Sequence, residues 1–354
     1  MKNKTICYMI VGLGVGGAEN IVIDLANHFA EYNQVTLVLL TNDISLKNKL
    51  SSKVKIKIFN LHTKRNILKL ILFLSSSKFD ILHSHMYHSN LLSRIIFLTS
   101  PSTKIINSIH NSLEIKSVAK RRIVNFLYRL TDFAVHKMTN VSLQATNNVI
   151  SAKITSSEKI ETIYNGRDFE KFSTPGLPVR LEPQHSFKIL TVASLTEQKA
   201  IENAIVAIAE LIKGGSNLSY HIVGDGPLRL QLERLISSHN MNDRIFLHGV
   251  SQNVAGFMNN SDLFLLPSRW EGFGLVLLEA VACGLNVLAT DCDGPREIFG
   301  SDYENLCVPD NIPSLTTKIK ECYENNVVNY DRDKIIKHFD LSAMIEGYTQ
   351  LYVK

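Results

Sequence analysis

The sequence predicts an α/β protein made of two tandem, Rossmann-like doubly wound domains. Three observations carry that expectation. Short β-branched runs alternate with amphipathic stretches along the chain. The alternation breaks once, near the middle. The length, 354 residues at 45% hydrophobic and 20% charged content, exceeds what a single core usually fills.

The first series opens with a strand over Thr5–Val11, a helix over Ala18–Glu31 and a strand over Gln34–Leu40, then runs on through strands at Asp80–His85 and Lys104–Ile109. Lys2 and Lys4 ahead of apolar Ile6–Val15 superficially mimic a secretion leader. No small-residue cleavage site follows, and Glu19 and Asp24 interrupt at once, so a buried first strand is expected. Around Phe172–Phe187 the pattern lapses into Ser-Thr-Pro-Gly-Leu-Pro and then Glu-Pro-Gln-His, the composition of a linker. A second series follows, with strands at Phe187–Val192, Ser219–Val223, Ile245–Leu247, Leu263–Leu266 and Val287–Thr290 and helices at Ile201–Lys213, Leu228–His239 and Leu275–Cys283. The amphipathic stretch Leu341–Val353 stands outside both series and is expected to cross back as a helix onto the first domain. The expected domains are therefore 1–172, 173–335 and a terminal helix within 336–354. In such sheets ligands sit beyond the carboxyl ends of the strands, so a cleft between the two domains is the expected site.

The five cysteines are odd in number and include no C-x-x-C pair, which argues against a disulfide framework or a zinc knuckle and for a reducing, cytoplasmic compartment. No apolar run approaches the roughly 18 residues of a membrane span. The net charge of +5 hides an asymmetry: residues 1–172 carry 23 Lys+Arg against 11 Asp+Glu, and residues 173–354 carry 15 against 22. The basic half suits an anionic partner or surface, or serves solubility alone. Within it, Lys116–Arg129 sets five basic residues among Val118, Ile123, Val124, Phe126, Leu127 and Tyr128 at near-helical spacing. Such a helix either lies peripherally on an anionic membrane or packs on the sheet with a basic outer face. No nucleic-acid-binding module accompanies the charge, which disfavours that partner.

The most informative segment is Pro267-Ser-Arg-Trp-Glu271-Gly-Phe-Gly-Leu-Val-Leu-Leu-Glu279-Ala-Val-Ala-Cys-Gly284, which follows a wholly apolar strand. Gly272 and Gly274 let the backbone approach a ligand, and a helix starting near Leu275 offers free N–H groups and its positive dipole end to a diphosphate. Gly284 is a plausible helix stop. From Leu275 to Cys283 every residue except Glu279 is apolar, so the helix is expected to be buried all round, and the lone carboxylate needs a hydrogen-bonding partner: ribose hydroxyls or a basic side chain of the first domain.

With these residues the sequence resembles the GT-B glycosyltransferases, specifically the retaining family 4 of group 1, of the bacterial surface-polysaccharide type. Its signature is a Glu, seven residues and a second Glu. The resemblance extends over Gly14–Glu19, Asn165-Gly-Arg-Asp168, Val192–Lys199, Gly224-Asp-Gly-Pro227 and Phe246-Leu-His-Gly249. It implies that Glu271 contacts the donor sugar, that Glu279 holds the ribose, and that the backbone of Gly272, Phe273, Gly274 and Leu275 meets sugar and phosphate. It also places Gly224 and His248 near the nucleotide, gives Gly14, Gly16, Gly17 and Glu19 to the acceptor side, and sets His110 beside the transferred sugar. Lys199 matches the family's phosphate-binding lysine. The partner arginine position is Ser194, so one charge-assisted contact of about 1.5–3 kcal/mol is missing or replaced, with Arg269 a candidate replacement.

The resemblance further implies transfer of a hexosyl or N-acetylhexosaminyl unit from a nucleotide diphosphate sugar, a UDP-sugar foremost, to a polyprenyl-diphosphate-linked glycan. The donor is a co-substrate and no cofactor is expected. Two alternatives stand beside this reading. Gly12-Leu-Gly14-Val-Gly-Gly17, with Asp43 further on, formally satisfies the dinucleotide fingerprint of an NAD-dependent dehydrogenase. A non-catalytic nucleotide-sugar-binding protein would keep the same motifs. His83, His85 and His88 cluster at a strand end, but no carboxylate or thiol accompanies them at ligand spacing, and no metal is expected there. Asp291-Cys-Asp293 resembles a D-x-D metal motif only in letters, since diphosphate neutralisation falls to the helix start and Lys199.

Overall fold

The computed structural model describes residues 1–14, 16–61, 63–110, 118–173, 177, 179–326 and 328–353. Lys116, from which the basic stretch was counted, and Thr174, Pro175, Gly176 and Pro178 of the linker lie outside them. The chain divides into two compact units, residues 1–166 with 342–354, and residues 167–341.

The first unit runs β1 Thr5–Ile10, α1 Gly17–Phe29, β2 Gln34–Leu39, β3 Lys55–Ile58, α2 Lys64–Ser76, β4 Ile81–His85, α3 Tyr87–Ile95, β5 Lys104–Ile109, α4 Val118–Leu130, β6 Lys137–Asn140, α5 Leu143–Ser151 and β7 Ile160–Thr162. Its seven strands stand in the order β3-β2-β1-β4-β5-β6-β7, and every pairing is parallel. β1 is buried beyond its first residue because it lies inside the sheet with helices on both faces. The strand order reverses at β1, and the loop that follows it opens at that switch point. On one face Leu70 and Leu74 of α2, Ile96, Tyr128 of α4 and Val149 of α5 close over Met9, Leu82, Ile105 and Met138. Local caps fix the helix starts: Thr63 accepts from the Asn66 amide at α2, and Ser142 from the Ala145 amide at α5.

The second unit runs α6 Glu170–Ser173, β8 Phe187–Val192, α7 Ile201–Lys213, β9 Leu218–Val223, α8 Arg229–Ser238, β10 Ile245–Gly249, α9 Val254–Met258, β11 Leu263–Leu266, α10 Leu275–Ala282, β12 Asn286–Thr290, α11 Asp293–Phe299, β13 Leu306–Cys307, α12 Ile312–Asn325 and α13 Arg332–His338. Its six-stranded sheet has the order β10-β9-β8-β11-β12-β13, again all parallel. β9, β11 and β12 are buried throughout, and β11 accordingly reads as an unbroken apolar run.

The last helix, α14 Leu341–Val353, returns to the first sheet. Tyr352 Oη meets His83 Nδ1 at 2.6 Å and donates to Tyr8 Oη at 3.0 Å. His83 Nε2 meets Ser108 Oγ at 2.7 Å, and Ser108 Oγ meets Thr139 Oγ1 at 2.6 Å, so a polar row crosses β4, β5 and β6. Tyr348 Oη lies 3.3 Å from Ser108 Oγ, beneath the same row. Each of these buried groups is partnered, which lets polar side chains sit where apolar ones would otherwise pack.

Candidate functional site

In the second unit the residues singled out from sequence collect along one edge, at the carboxyl ends of parallel strands. Ser194 follows β8, Gly224 follows β9, His248 lies at the end of β10 and Glu271 follows β11. A further glycine, Gly294, comes after β12. Gly224 adopts φ +139°, and Gly226 packs so tightly that a Cβ there would lie 2.6 Å from the Leu195 carbonyl. Both glycines therefore press their turn onto Ala193–Leu195, where the Leu195 amide donates to the Asp225 carbonyl at 3.0 Å. Their glycine character follows from chain packing alone.

The Lys199 ammonium closes the short turn Glu197–Lys199 and forms an ion pair with the Glu271 carboxylate; both side chains are largely buried. Ser268 Oγ donates to the same carboxylate oxygen at 3.3 Å. Three residues after Glu271, Gly274 takes φ +88° as the N-cap of α10, and no side chain caps that helix start. The first amides of α10 thus open beside the Lys199–Glu271 pair, an arrangement suited to an anion. Phe273 turns its ring inward against Phe339, centroids 5.3 Å apart. The Gly294 amide donates to the Glu271 carbonyl at 3.1 Å, and α11 starts so close to Phe273 that only hydrogen fits at its second position.

Leu277, Leu278, Ala280, Val281 and Ala282 of α10 are buried, as its all-apolar sequence predicts. Glu279 is held among them by Arg167, whose Nη2 lies 2.5 Å from Glu279 Oε1. Glu279 thus has a basic partner, and by its contacts Arg167 belongs to the second unit rather than to the first. The sequence reading passed over Arg167 itself, though it stands within the quoted Asn165–Asp168 motif.

Arg269, the candidate to stand in for the arginine position held by Ser194, is engaged by other groups. Its Nη2 meets Glu202 at 2.8 Å, its Nε meets Asp310 at 2.8 Å and its Nη1 donates to the Glu197 carbonyl at 2.5 Å. The Glu197 carbonyl ties it to the Glu197–Lys199 turn, while Glu202 of α7 and Asp310 after β13 balance its charge. Arg296 forms a two-pronged pair with Asp291 at 2.9 and 2.7 Å, which gives the first aspartate of Asp291-Cys-Asp293 a structural partner. His248 Nε2 meets His221 Nδ1 at 3.0 Å, and burial lowers the pKa of both rings. With Arg229, Glu233 and Phe246, His248 lines an open hollow of about 360 Å³.

In the first unit the loop after β1 leads into α1, with Gly16 as N-cap and Glu19 in the first turn. A Cβ at Gly14 would lie 2.8 Å from Asp43 Oδ2, and one at Gly16 would strike the Glu19 carboxylate, so the loop folds around its own acids. Burial raises the pKa of Glu19. At the ends of β4 and β5, His85 Nδ1 meets His110 Nε2 at 2.8 Å. Burial pushes His110 down to about 4 and His83 and His85 well below the usual histidine range, so all three rings are neutral near pH 7. Gly14, Gly16, Gly17, Glu19 and His110 thus share the carboxyl edge of the first sheet.

The fold of the whole chain is that of GT-B glycosyltransferases. It superposes on HepE of Anabaena, solved with UDP and glucose, with a TM-score of 0.83 at 18% identity over 99% of each chain. It also matches sucrose-phosphate synthase of Thermosynechococcus elongatus with a TM-score of 0.83 at 17% identity, covering 99% of this chain and 98% of that one. Two family models take up nearly all of the sequence: Glycosyltransferase Family 4 over residues 15–171 and Glycosyl transferases group 1 over residues 178–338. The chain belongs to this glycosyltransferase family. Among its relatives, the N-acetylgalactosamine-N,N'-diacetylbacillosaminyl-diphospho-undecaprenol 4-alpha-N-acetylgalactosaminyltransferase of Campylobacter jejuni is 28% identical over 342 residues, 90% of this chain and 89% of its own. The UDP-Gal:alpha-D-GlcNAc-diphosphoundecaprenol alpha-1,3-galactosyltransferase of Escherichia coli is 25% identical over 82% of this chain and 79% of its own. Membership displaces the dehydrogenase alternative raised by the glycine loop.

Proposed function

We propose that the protein transfers a hexosyl or N-acetylhexosaminyl unit from a UDP-sugar to a polyprenyl-diphosphate-linked glycan, with retention at the anomeric carbon and without a metal ion, in surface polysaccharide assembly. The observation that carries the donor reading is the Lys199–Glu271 pair beside the uncapped start of α10. A donor diphosphate takes over Lys199, which frees the Glu271 carboxylate to accept hydrogen bonds from the sugar hydroxyls. Glu279 binds the ribose while Arg167 continues to balance its charge. The polyprenyl acceptor is supported by the undecaprenol-linked acceptors in the names of both relatives.

In the proposed step the C1–O bond to the diphosphate breaks as the acceptor oxygen bonds C1 on the same face. The hydroxyl proton passes to the departing phosphate oxygen. Lys199 and the α10 amides stabilise the charge that gathers on that phosphate, and such preorganised donors commonly supply the largest share of a rate. His110, neutral and held by His85, orients a hydroxyl, and the Gly14–Glu19 loop receives the acceptor. The test incubates the protein with a panel of nucleotide sugars and a polyprenyl-diphosphate-linked N-acetylhexosamine, reading nucleotide release and product mass, with NMR for the anomeric configuration. Binding of UDP-sugars without release of nucleotide in any pairing would reduce the protein to a sensor.

A further inference from the structure

The helical layer over one face of the first sheet carries apolar side chains on its outside as well as its inside. On α2, Leu70 and Leu74 enter the core while Leu68 and Leu72 point away from it, 63% and 68% exposed. Leu98, after α3, is 78% exposed, and Ile123, Phe126 and Leu130 on α4 lie near 60%. The elements that carry them adjoin: Ser75 Oγ of α2 meets Thr99 Oγ1 at 2.7 Å, Arg94 of α3 donates to the Tyr128 carbonyl of α4 at 2.8 Å, and Phe97 packs edge-on against exposed Phe133 at 5.6 Å. Large apolar side chains exposed on three adjoining elements go beyond the scattered single ones of an ordinary surface.

The charge around the band is one-sided. Residues 60–153 hold 13 Lys+Arg against 3 Asp+Glu, which is most of the first half's excess. Arg65 and Lys69 share the outer face of α2 with Leu68 and Leu72, and Arg122 and Arg129 flank the α4 residues. One of the few acids, Asp132, is already paired with Lys159 at 3.2 Å. Apolar side chains set among exposed cations are the composition of a face that enters the headgroup region of an anionic bilayer. Among the described residues no helix is long and apolar enough to cross one.

We propose that the outer face of α2, residues 96–98 and α4 docks on an anionic lipid surface. Cations provide the attraction, and Leu68, Leu72, Phe126 and Leu130 enter the acyl boundary.

The full chain is tested by flotation with vesicles of phosphatidylcholine alone and of phosphatidylcholine with phosphatidylglycerol, neither donor nor acceptor being present. Wild type is expected to float with the anionic vesicles only. Reversing three charges, Arg65→Glu, Lys69→Glu and Arg122→Glu, weakens binding about a hundredfold. Replacing three apolar residues, Leu68→Ser, Phe126→Ser and Leu130→Ser, weakens it at least about tenfold. Both variants keep the wild-type melting curve and UDP affinity, because every altered side chain is exposed. Wild type that stays unbound, or an apolar variant that floats as well as wild type, overturns the proposal. So does an apolar variant that changes oligomeric state in light scattering while vesicle binding is unaltered, since the face then belongs to a protein contact. None of these readings depends on glycosyl transfer.

Discussion

Arg167 and Glu279 form an ion pair, Nη2 to Oε1 at 2.5 Å, on a helix whose other buried residues are all apolar. The Arg167 guanidinium also lies over the Phe172 ring, 5.6 Å from its centroid, and its Nε is buried without a partner among the described residues. Removing either member strands the other's charge, which in buried pairs costs about 3–5 kcal/mol. Arg167→Ala and Glu279→Ala are each expected to lower the urea midpoint strongly, and the double variant by less than their sum, with a coupling of about 1–3 kcal/mol. Additive losses would show that the pair contributes nothing. Glu279→Gln keeps the shape and is expected to weaken UDP binding roughly tenfold by calorimetry.

In the proposed exchange Lys199 leaves Glu271 for the donor diphosphate, so replacing the two residues should affect nucleotide affinity differently. Lys199→Ala is expected to weaken UDP binding and to lower kcat by about 10²–10³. Glu271→Ala lowers kcat as well, yet releases Lys199 and leaves UDP binding equal or tighter. Calorimetry with UDP beside turnover with the full donor separates the two, and parallel losses of affinity would refute the exchange.

Two glycines distinguish a clash from backbone strain. A Cβ at Gly294 would collide with the Phe273 carbonyl, whereas one at Gly284 meets no atom within 4 Å and only opposes φ +74°. Gly294→Ala is expected to cost about 1–3 kcal/mol and to lower transfer, because the 271–275 backbone must shift. Gly284→Ala costs about 1 kcal/mol and keeps transfer. Denaturation curves and initial rates of the two proteins provide the comparison.

The histidines of β4 and β5 set the acid side of the stability profile. His83, His85 and His110 have folded pKa values below the unfolded value of about 6.5, so the folded state binds fewer protons than the unfolded chain below that pH. Their contribution is complete above about pH 6.5 and is lost as pH falls toward the folded values, about 4 for His110. Melting temperature should therefore drop between pH 6.5 and pH 4, and His110→Gln should flatten the drop. Over pH 6 to 8 the rate should show no titration from His110, and an inflection there that vanishes in His110→Gln would count against a neutral ring.

The βαβ alternation was legible because buried parallel strands leave apolar runs, as at Leu263–Leu266, and because α10 is apolar on every side. Strand β3 was harder to see: Lys55–Ile58 is a short edge element with mostly exposed residues. Within the site, Glu279 stood out as the lone charge of an apolar helix, and Glu271 and Lys199 through the family resemblance, but the ion-pair partners could not be assigned. Arg167 reaches Glu279, and Glu202 and Asp310 reach Arg269, only through the crossovers of the sheet, and no local pattern records such pairings. Nothing in the local sequence around Tyr8, Tyr348 and Tyr352 marks them as a hydrogen-bonded set. Their hydroxyl partners emerged only when three strands and the terminal helix came together.

That terminal helix bears on the timing of synthesis. Domains generally fold in order as the chain leaves the ribosome. Here Tyr8 of the first strand waits for Tyr352, 344 residues further along the chain, to complete its hydrogen bond. The first unit is thus finished only after the second has been made, and loss of α14 would damage the sheet that bears His110 while sparing the one that bears Glu271.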